Sequence, residues 1–359
     1  MKKLTNWIKH HQIAAFFILT FAITWGLGFS FDAVMNQGVF FLVPFFGIAM
    51  CGPALAGIIV TAVSNPQPKQ GASRAPWIAF FLAWTISLLV SLANNIFINQ
   101  APLSPAIVVV NAVGVVVPVA FVISMAASRN PAVKNYLSSL IRLRGVWGWS
   151  LLALVLIPGL ALLSILISSS IGRQPLTTQQ LPVIDLALIG LVVVKLFHQL
   201  FFFNATGEEV GWRGFALPRL QTRTNPLIAS LVLAFFWGIW HFFFWQAEGR
   251  PVFTLQYWIE TYVKLIPATL IVVWICNRAK GSILVAGITH AAANTAFAFL
   301  PPLDYPVYNV TLSVVVLAMI LVDRMWKKLP PDHPSVVPMP GKELIVEQFA
   351  TAPRKISDA

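Results

Sequence analysis

Charge and cysteine are both scarce in this chain of 359 residues. Only 10% of its residues are charged, against roughly 25% in a typical soluble domain, so a soluble globular domain of ordinary composition is excluded. The chain has two cysteines, Cys51 and Cys276, and both lie in or at the end of apolar runs. This excludes a disulfide framework or a zinc site built on cysteine, and we interpret both as packing residues.

Signatures of several protein classes are also missing. There is no Gly-x-Ser-x-Gly nucleophile elbow and no His-Glu-x-x-His zinc motif. The alternation of polar and apolar residues that marks the strands of a membrane β-barrel is absent as well. What the chain has is hydrophobicity: 58% of its residues are apolar and the mean hydropathy is +0.78. The composition predicts an all-α, polytopic integral membrane protein folded as a helical bundle.

The apolar runs predict about ten membrane-spanning helices. They lie near residues 12–31, 38–63, 77–95, 105–127, 147–170, 184–204, 226–246, 256–276, 281–300 and 306–323. The polar positions are concentrated in the later spans, so the chain divides into four parts. These are an N-terminal segment 1–11, N-terminal scaffold spans 12–170, a membrane core 171–325 that holds the candidate chemistry, and a proline-rich tail 326–359 predicted to be disordered.

The basic residues indicate the orientation of the chain in the membrane. With the N-terminus inside, twenty of the 24 Lys and Arg residues fall in inner segments, and only Arg173 and Arg250 fall in outer loops. This positive-inside bias predicts that both termini are cytoplasmic. It also explains the net charge of +12 as a topology signal, with membrane lipids rather than nucleic acid as the partner. The short loops are typical of a bacterial plasma-membrane protein.

The most informative polar stretch is Glu208-Glu209-Val210-Gly211-Trp212-Arg213, which adjoins strongly apolar sequence. Because a carboxylate near hydrocarbon is costly, acids in such places are functional candidates. On a helix, Glu209 and Arg213 are four residues apart and can pair, while Glu208 is rotated by about 100° and can face a cavity. Adjacent carboxylates in different environments are typical of separated structural and acid–base roles. A second interpretation is a solvated ion pair at a helix end.

Two later spans each carry a histidine that we predict at mid-helix, His241 and His290. Asn294 lies one helical turn after His290, so its amide can orient the imidazole or point into the same cavity. A lone buried histidine is usually structural, but two in separate spans favour chemistry. Two further groups before the acids, Lys195 and His198, are interpreted as interior hydrogen-bonding or snorkelling side chains.

Four functions are compatible with these residues. Glu208 can act as a general base on water while His241, His290 and Asn294 stabilise an oxyanion on a peptide carbonyl. Alternatively, Glu208, His241 and His290 can bind zinc, which activates its own water. The acids and imidazoles can also form a proton or ion relay in a transporter, although no inverted repeat is visible. The last option is a catalytically silent protein that binds a peptide.

Taken together, the motifs resemble those of the CAAX protease and bacteriocin-processing family of intramembrane glutamic endopeptidases. Three motifs occur in the family's order within residues 184–300: Glu208-Glu209-x-x-x-Arg213, aromatic-x-x-x-His241 and His290-x-x-x-Asn294. The resemblance implies an eight-helix core, preceded here by two N-terminal spans. It implies that Glu208 activates water with support from Glu209 and Arg213. It further implies that His241, His290 and Asn294 serve as oxyanion and substrate-orienting groups.

The same resemblance implies a peptide or protein substrate, with or without a lipid, and no cofactor. The biological settings that it offers are CAAX-like processing, bacteriocin immunity and peptide maturation. One position departs from the pattern, because Trp237 stands where the family usually has phenylalanine. The sequence makes no prediction of the oligomeric state.

The predicted spans leave one geometric difficulty. Glu208 falls after the predicted end of the sixth span at residue 204, whereas His241 lies about fifteen residues, or roughly 22 Å, into the seventh. For the two groups to meet, either the sixth helix continues past residue 204 with Glu208 inside the bundle, or the predicted boundaries are wrong by a turn or two.

Overall fold

The computed structural model of the chain describes residues 2–66, 73–176 and 184–337. Within these ranges the chain is helical and forms no strand, which confirms the predicted all-α class. The helices of the first half are α1 Lys2–His10, α2 Gln12–Gly26, α3 Phe29–Met35, α4 Val43–Met50, α5 Gly52–Ser64, α6 Ala75–Ala93, α7 Pro105–Val109, α8 Val116–Ser124 and α9 Pro131–Ile141. Those of the second half are α10 Trp147–Ser170, α11 Leu186–His198, α12 Leu217–Arg223, α13 Pro226–Trp240, α14 Phe242–Ala247, α15 Leu255–Arg278, α16 Ile283–Phe299 and α17 Tyr305–Val322.

The lengths and apolar composition of the described helices confirm a multi-pass membrane protein. Six helical stretches are long and apolar enough to cross a bilayer, and two bent pairs of helices raise the number to eight. The bent pairs are Phe40–Met50 with Gly52–Ser64, at 57°, and Leu186–Phe202 with Asn204–Arg223, at 47°. Helices α13 and α16 are apolar but shorter than the roughly 20 residues that span a bilayer. The count of ten spans therefore stays a prediction.

The sixth predicted span ends in a different place from the one that the sequence indicated. Instead of stopping at residue 204, the chain remains helical through the segment Gln199–Ala216 and on into α12. This segment, which we call the motif segment, has π-type turns, a form that often marks functional sites. Its continuation carries Glu208 into the bundle, so the first of the two solutions to the geometric difficulty is the one observed.

The seventh predicted span, residues 226–246, is interrupted at its histidine. Helix α13 ends at Trp240, and α14 begins at Phe242. The His241 backbone N–H bonds to the carbonyl oxygen of Gly238 at 3.2 Å, a tight i→i+3 turn that closes the helix. The prediction of His241 at mid-helix is wrong, because the residue lies at the junction of two helices. His290, in contrast, lies within α16 as predicted.

Close helix contacts hold the motif segment in the bundle. A Cβ added to Gly211 would meet the backbone of Pro53 in α5 at 2.4 Å, and one added to Gly287 of α16 would meet Ala205 at 2.3 Å. Small residues permit this approach between membrane helices. From α9, the Tyr136 hydroxyl donates to the carbonyl oxygen of Val210 at 2.5 Å. The acids are therefore fixed against α16, the helix that carries His290.

The predicted tail is described as far as Val337. Gln221 Nε2 donates to the carbonyl oxygen of Ser335 at 2.8 Å, and Thr222 Oγ1 donates to that of Val337 at 2.8 Å. Both bonds hold residues 335–337 against α12. The rest of the predicted tail, residues 338–359, lies outside the described residues. The two cysteines are free and buried, in agreement with a packing role.

Candidate active site

Both acids of the motif segment lie inside the protein. Glu208 is 3% exposed, Glu209 is 0% exposed and Arg213 is 1% exposed. The interpretation of these residues as a solvated ion pair at a helix end is therefore wrong. Because isolated buried charges are costly, each of these groups needs compensating partners inside the bundle.

Glu209 is hydrogen-bonded from two sides. Its Oε1 accepts a hydrogen bond from Arg213 Nη1 at 2.9 Å, which confirms the predicted i,i+4 pair. The same oxygen lies 2.9 Å from His290 Nδ1, which reaches it from α16. The Arg213 guanidinium also lies over the indole ring of Trp237, 4.8 Å from the ring centroid, a favourable cation–π arrangement. Glu209 thus forms the centre of a charge network that ties the motif segment to α16.

Glu208 has different neighbours. Its Oε2 accepts a hydrogen bond from the indole nitrogen of Trp237 at 2.5 Å and lies 3.8 Å from His241 Nε2. Within the described residues, neither arginine nor lysine forms an ion pair with Glu208. The two adjacent carboxylates therefore occupy distinct environments, as their positions on the helix predict.

Hydrogen bonding determines which nitrogen of His241 carries a proton. Nδ1 lies 2.7 Å from the carbonyl oxygen of Trp237, and a carbonyl oxygen can only accept, so Nδ1 is the donor. In the neutral ring, Nε2 is then an acceptor that faces Glu208, and in the imidazolium it is a donor. The ring is held in place by stacking on Trp245, with centroids 4.4 Å apart.

The second half of the predicted oxyanion group lies on α16. His290 Nδ1 is occupied by Glu209, which leaves Nε2 as the atom that can face a substrate. Asn294 is half-buried one turn further along the helix, and the described residues include no hydrogen bond between its amide and His290. The structure thus gathers Glu208, Glu209 and Arg213 with both histidines, and Asn294 adjoins them along α16.

Trp237 is the part of the site to which the sequence assigned no chemical role. Its ring lies between the two imidazoles, 5.5 Å from His241 and 5.2 Å from His290 between centroids. In the sequence it is only an aromatic residue at the position where the family usually has phenylalanine. The available signal was chemical: of the two side chains, only tryptophan has an N–H that can donate to a buried carboxylate.

An apolar cavity of about 620 Å³ lies between α10, α11 and α16. Helix α16 contributes Ala292, Thr295 and Phe299 to its wall. At 100° per residue, these positions face away from His290 and Asn294. The cavity is therefore on the opposite side of α16 from the polar cluster. On α11, His198 stacks on Phe202 with ring centroids 4.9 Å apart.

A second hypothesis from the sequence was that the acids and histidines bind a metal ion. Across the three described ranges, no three His, Cys, Asp or Glu side chains are arranged to hold a metal ion. The donor set consists instead of one carboxylate committed to arginine and a second one bonded to an indole N–H. Zinc at Glu208, His241 and His290 stays an alternative hypothesis, and chelation tests it.

Comparison with known proteins matches the same region of the chain. Residues 188–296 match the sequence profile of the family described as type II CAAX prenyl endopeptidase Rce1-like. A protein of Methanococcus maripaludis named CAAX prenyl protease 2 is 30% identical over 155 residues. The alignment covers 39% of this chain and 52% of that protein, so the chain spans about half the length of this relative. The resemblance predicted from the three motifs is confirmed over this region.

Proposed function

Because residues 188–296 match the type II CAAX prenyl endopeptidase Rce1-like family and lie among apolar helices, we propose that this protein is an intramembrane endopeptidase with Glu208 as its general base. The observation that carries the proposal is the difference between two adjacent buried carboxylates. Glu209 is engaged by Arg213 and His290, whereas Glu208 faces His241. A carboxylate without a cationic side chain attached to it is available to exchange protons.

In the proposed reaction, Glu208 removes a proton from water, and the water oxygen attacks the carbonyl carbon of the peptide bond. As the C–N bond of the tetrahedral intermediate breaks, the leaving nitrogen takes the proton from Glu208 and departs as an amine. The products are a carboxylic acid and an amine, and Glu208 returns to its starting state. No covalent enzyme intermediate is formed.

The oxyanion of the intermediate needs donors that are already in place. The Asn294 amide supplies N–H groups in either protonation state of its neighbours. His290 can donate from Nε2 when that atom carries a proton, since its Nδ1 lies against Glu209. His241 does the same when its Nε2 is protonated, since its Nδ1 is committed to the Trp237 carbonyl.

We propose a peptide or protein substrate that approaches the site within the membrane. The buried position of Glu208 among apolar helices supports a substrate with a hydrophobic segment or a lipid. The purified chain in lipid is expected to cleave such a peptide, and a matched pair with and without an isoprenyl group measures the contribution of the lipid. If neither membrane peptides nor lipidated peptides are cleaved by the folded protein, the proposal is wrong.

Trp237→Phe is expected to lower kcat by about tenfold to a hundredfold, with little change in KM. The substitution keeps an aromatic ring but removes the N–H that bonds Glu208 Oε2, and a hydrogen bond to a charged group contributes roughly 1.5–3 kcal/mol. Trp237 acts here as a positioning residue, because it orients the base and does not react. Steady-state kinetics with a quenched peptide gives both parameters.

A matched control for Trp237→Phe is Trp84→Phe. Trp84 Nε1 donates to the carbonyl oxygen of Ala112 at 2.8 Å, in a helix pair away from the acids. Both variants lose one indole hydrogen bond, but only one loses a bond to Glu208. If the two variants lose activity to the same extent, the effect is general to the fold and Trp237 does not position the base.

Exhaustive chelation is expected to leave the peptidase activity unchanged, because the proposed base acts on water without a metal. Dialysis against a strong zinc chelator, followed by an assay in metal-free buffer and by elemental analysis, measures this. Activity that disappears with the chelator and returns on addition of stoichiometric zinc would support the zinc alternative for Glu208, His241 and His290.

A further inference from the structure

A second cavity, with several charged side chains in its walls, lies where α13 begins and α15 and α17 end. Its volume is about 330 Å³. Pro226 opens α13 on one side, and Asn277 and Arg278 close α15 on another. The remaining walls are residues 323–330, which follow α17, and His333.

Positive charge exceeds negative charge around this cavity. Arg278 is bound by Asp323, which also accepts a hydrogen bond from Trp274 Nε1 at 2.5 Å. The hydrogen bond from Arg278 holds the pKa of Asp323 below its usual value, so this carboxylate is ionised at neutral pH and keeps Arg278 occupied. Three further lining cations are exposed and form no ion pair within the described residues: Arg324, Lys327 and Lys328.

The walls of the cavity are fixed by hydrogen bonds between separate elements. The backbone N–H of Leu227 in α13 donates to the carbonyl oxygen of Met325 at 3.1 Å. Gln221 and Asn277 exchange two side-chain bonds, at 3.1 Å and 2.7 Å. Gln221 also donates to Ser335, which fixes the chain beyond His333. The basic residues are thus displayed on a defined frame.

Apolar side chains next to the cavity indicate its depth in the bilayer. Leu321 and Val322, at the end of α17, are 56% and 79% exposed, and Trp326 is 45% exposed. Apolar residues exposed along a membrane helix face lipid tails, and tryptophan is enriched at the level of the headgroups. The cavity therefore opens at the interface, on the side that the basic residues predict to be cytoplasmic, where anionic lipids concentrate.

We propose that this cavity binds the phosphate-bearing headgroup of an anionic membrane phospholipid, with Arg324, Lys327 and Lys328 as the cationic contacts. The acyl chains of the lipid run along the exposed end of α17 beside Trp326. The charges, the volume and the interfacial position all match this ligand, and the inference does not depend on the peptidase activity.

The full chain, purified in a neutral detergent, is titrated with short-chain phosphatidylglycerol and, separately, with short-chain phosphatidylcholine. Native mass spectrometry measures retained lipid, and the thermal unfolding midpoint measures stabilisation. Phosphatidylglycerol is expected to bind and raise the midpoint, and phosphatidylcholine is not. The variant with all three contacts replaced, R324Q/K327Q/K328Q, is expected to bind phosphatidylglycerol about a hundredfold more weakly, since each of three cations near an anionic lipid contributes about 1 kcal/mol.

The matched control removes three exposed cations from elsewhere on the same predicted side, as K134Q/R142Q/R144Q. It is expected to bind phosphatidylglycerol like the unaltered protein. Equal losses in the two variants would show general surface attraction and overturn the proposal, as would unchanged binding by the first. A third arm uses inorganic phosphate alone. Stabilisation by millimolar phosphate that equals stabilisation by the lipid would overturn the assignment to a membrane lipid.

Discussion

Glu208→Gln is expected to lower kcat by about 10²–10⁴-fold, the range that general-base catalysis contributes. Glutamine has nearly the shape of glutamate, and its amide oxygen can still accept the hydrogen bond from Trp237. The variant therefore removes proton exchange and little else. Peptide cleavage followed in lipid or detergent, with substrate held above and below KM, separates the loss in kcat from any change in binding.

The control for Glu208→Gln is Glu260→Gln. Glu260 is exposed on α15 and accepts a hydrogen bond from Gln256 at 2.9 Å, so the same chemical change there removes one charge outside the site. It is expected to leave kcat unchanged. If Glu208→Gln retains full cleavage while it unfolds at the same temperature as the original protein, Glu208 is not the base and the proposed mechanism is wrong.

Glu208→Gln also distinguishes the peptidase interpretation from the transporter interpretation. In a proton or ion relay, Glu208 would carry charge through the bundle, so its replacement would abolish ion-coupled flux into liposomes. The unaltered protein would then show such flux and no cleavage. In the proposed peptidase, cleavage is present, depends on Glu208 and requires no ion gradient.

How much of the site was predictable depends on the sequence distance between the partners. The Glu209–Arg213 pair follows from a spacing of four residues on one helix, and such local geometry is fixed once the helix forms. The all-α membrane fold follows likewise from long apolar runs, because only intrachain hydrogen bonding satisfies a backbone in lipid.

Other features depend on tertiary packing, which spacing does not encode. The bond between Trp237 and Glu208 joins residues 29 apart, and that between His290 and Glu209 joins residues 81 apart. The second contact lies where α16 approaches the motif segment closely, at Gly287 and Ala205. The predicted end of the sixth span at residue 204 was too early because the polar residues that follow resemble a span end, although packing buries them. The break at His241 was missed because the surrounding residues are uniformly apolar and aromatic.

Glu209→Gln is expected to destabilise the fold by about 3–5 kcal/mol, because it leaves Arg213 as a buried charge without its counter-ion. Both side chains of this pair are 0% exposed. For a domain of 150–250 residues, each kcal/mol lowers the unfolding midpoint by about 2–4 °C, so a decrease of roughly 6–20 °C is expected. Activity should fall as well, because His290 loses the carboxylate bonded to Nδ1. Thermal unfolding in a neutral detergent measures the first effect.

The control for this loss is Asp304→Asn, which removes the same kind of charge from a pair at the surface. Arg173 Nε lies 2.8 Å from Asp304 Oδ2, and its hydrogen bond holds the pKa of Asp304 below the usual value. A carboxylate with a lowered pKa stabilises the fold above its unfolded pKa and loses that contribution as the pH falls through the folded pKa. Measured at pH 7, where the contribution is fully present, the variant is still expected to shift the midpoint little, because the Arg173 side chain is 53% exposed and its charge stays solvated when Asp304 is replaced.

The double variant Glu209→Gln with Arg213→Met distinguishes two causes of the instability of Glu209→Gln. One is the loss of attraction between the two side chains, and the other is the buried charge that Arg213 retains without a partner. Methionine keeps much of the apolar volume of arginine without the charge, so the pair of substitutions leaves no isolated cation in the bundle. We expect the double variant to be more stable than Glu209→Gln alone, which is the behaviour of buried ion pairs whose partners are removed together. If the double variant regains stability but not activity, the two charges are needed for the position of His290 and for the reaction, and not for the fold. If instead the two losses simply add, Glu209 and Arg213 do not stabilise one another, and the charge network inferred around Glu209 is wrong.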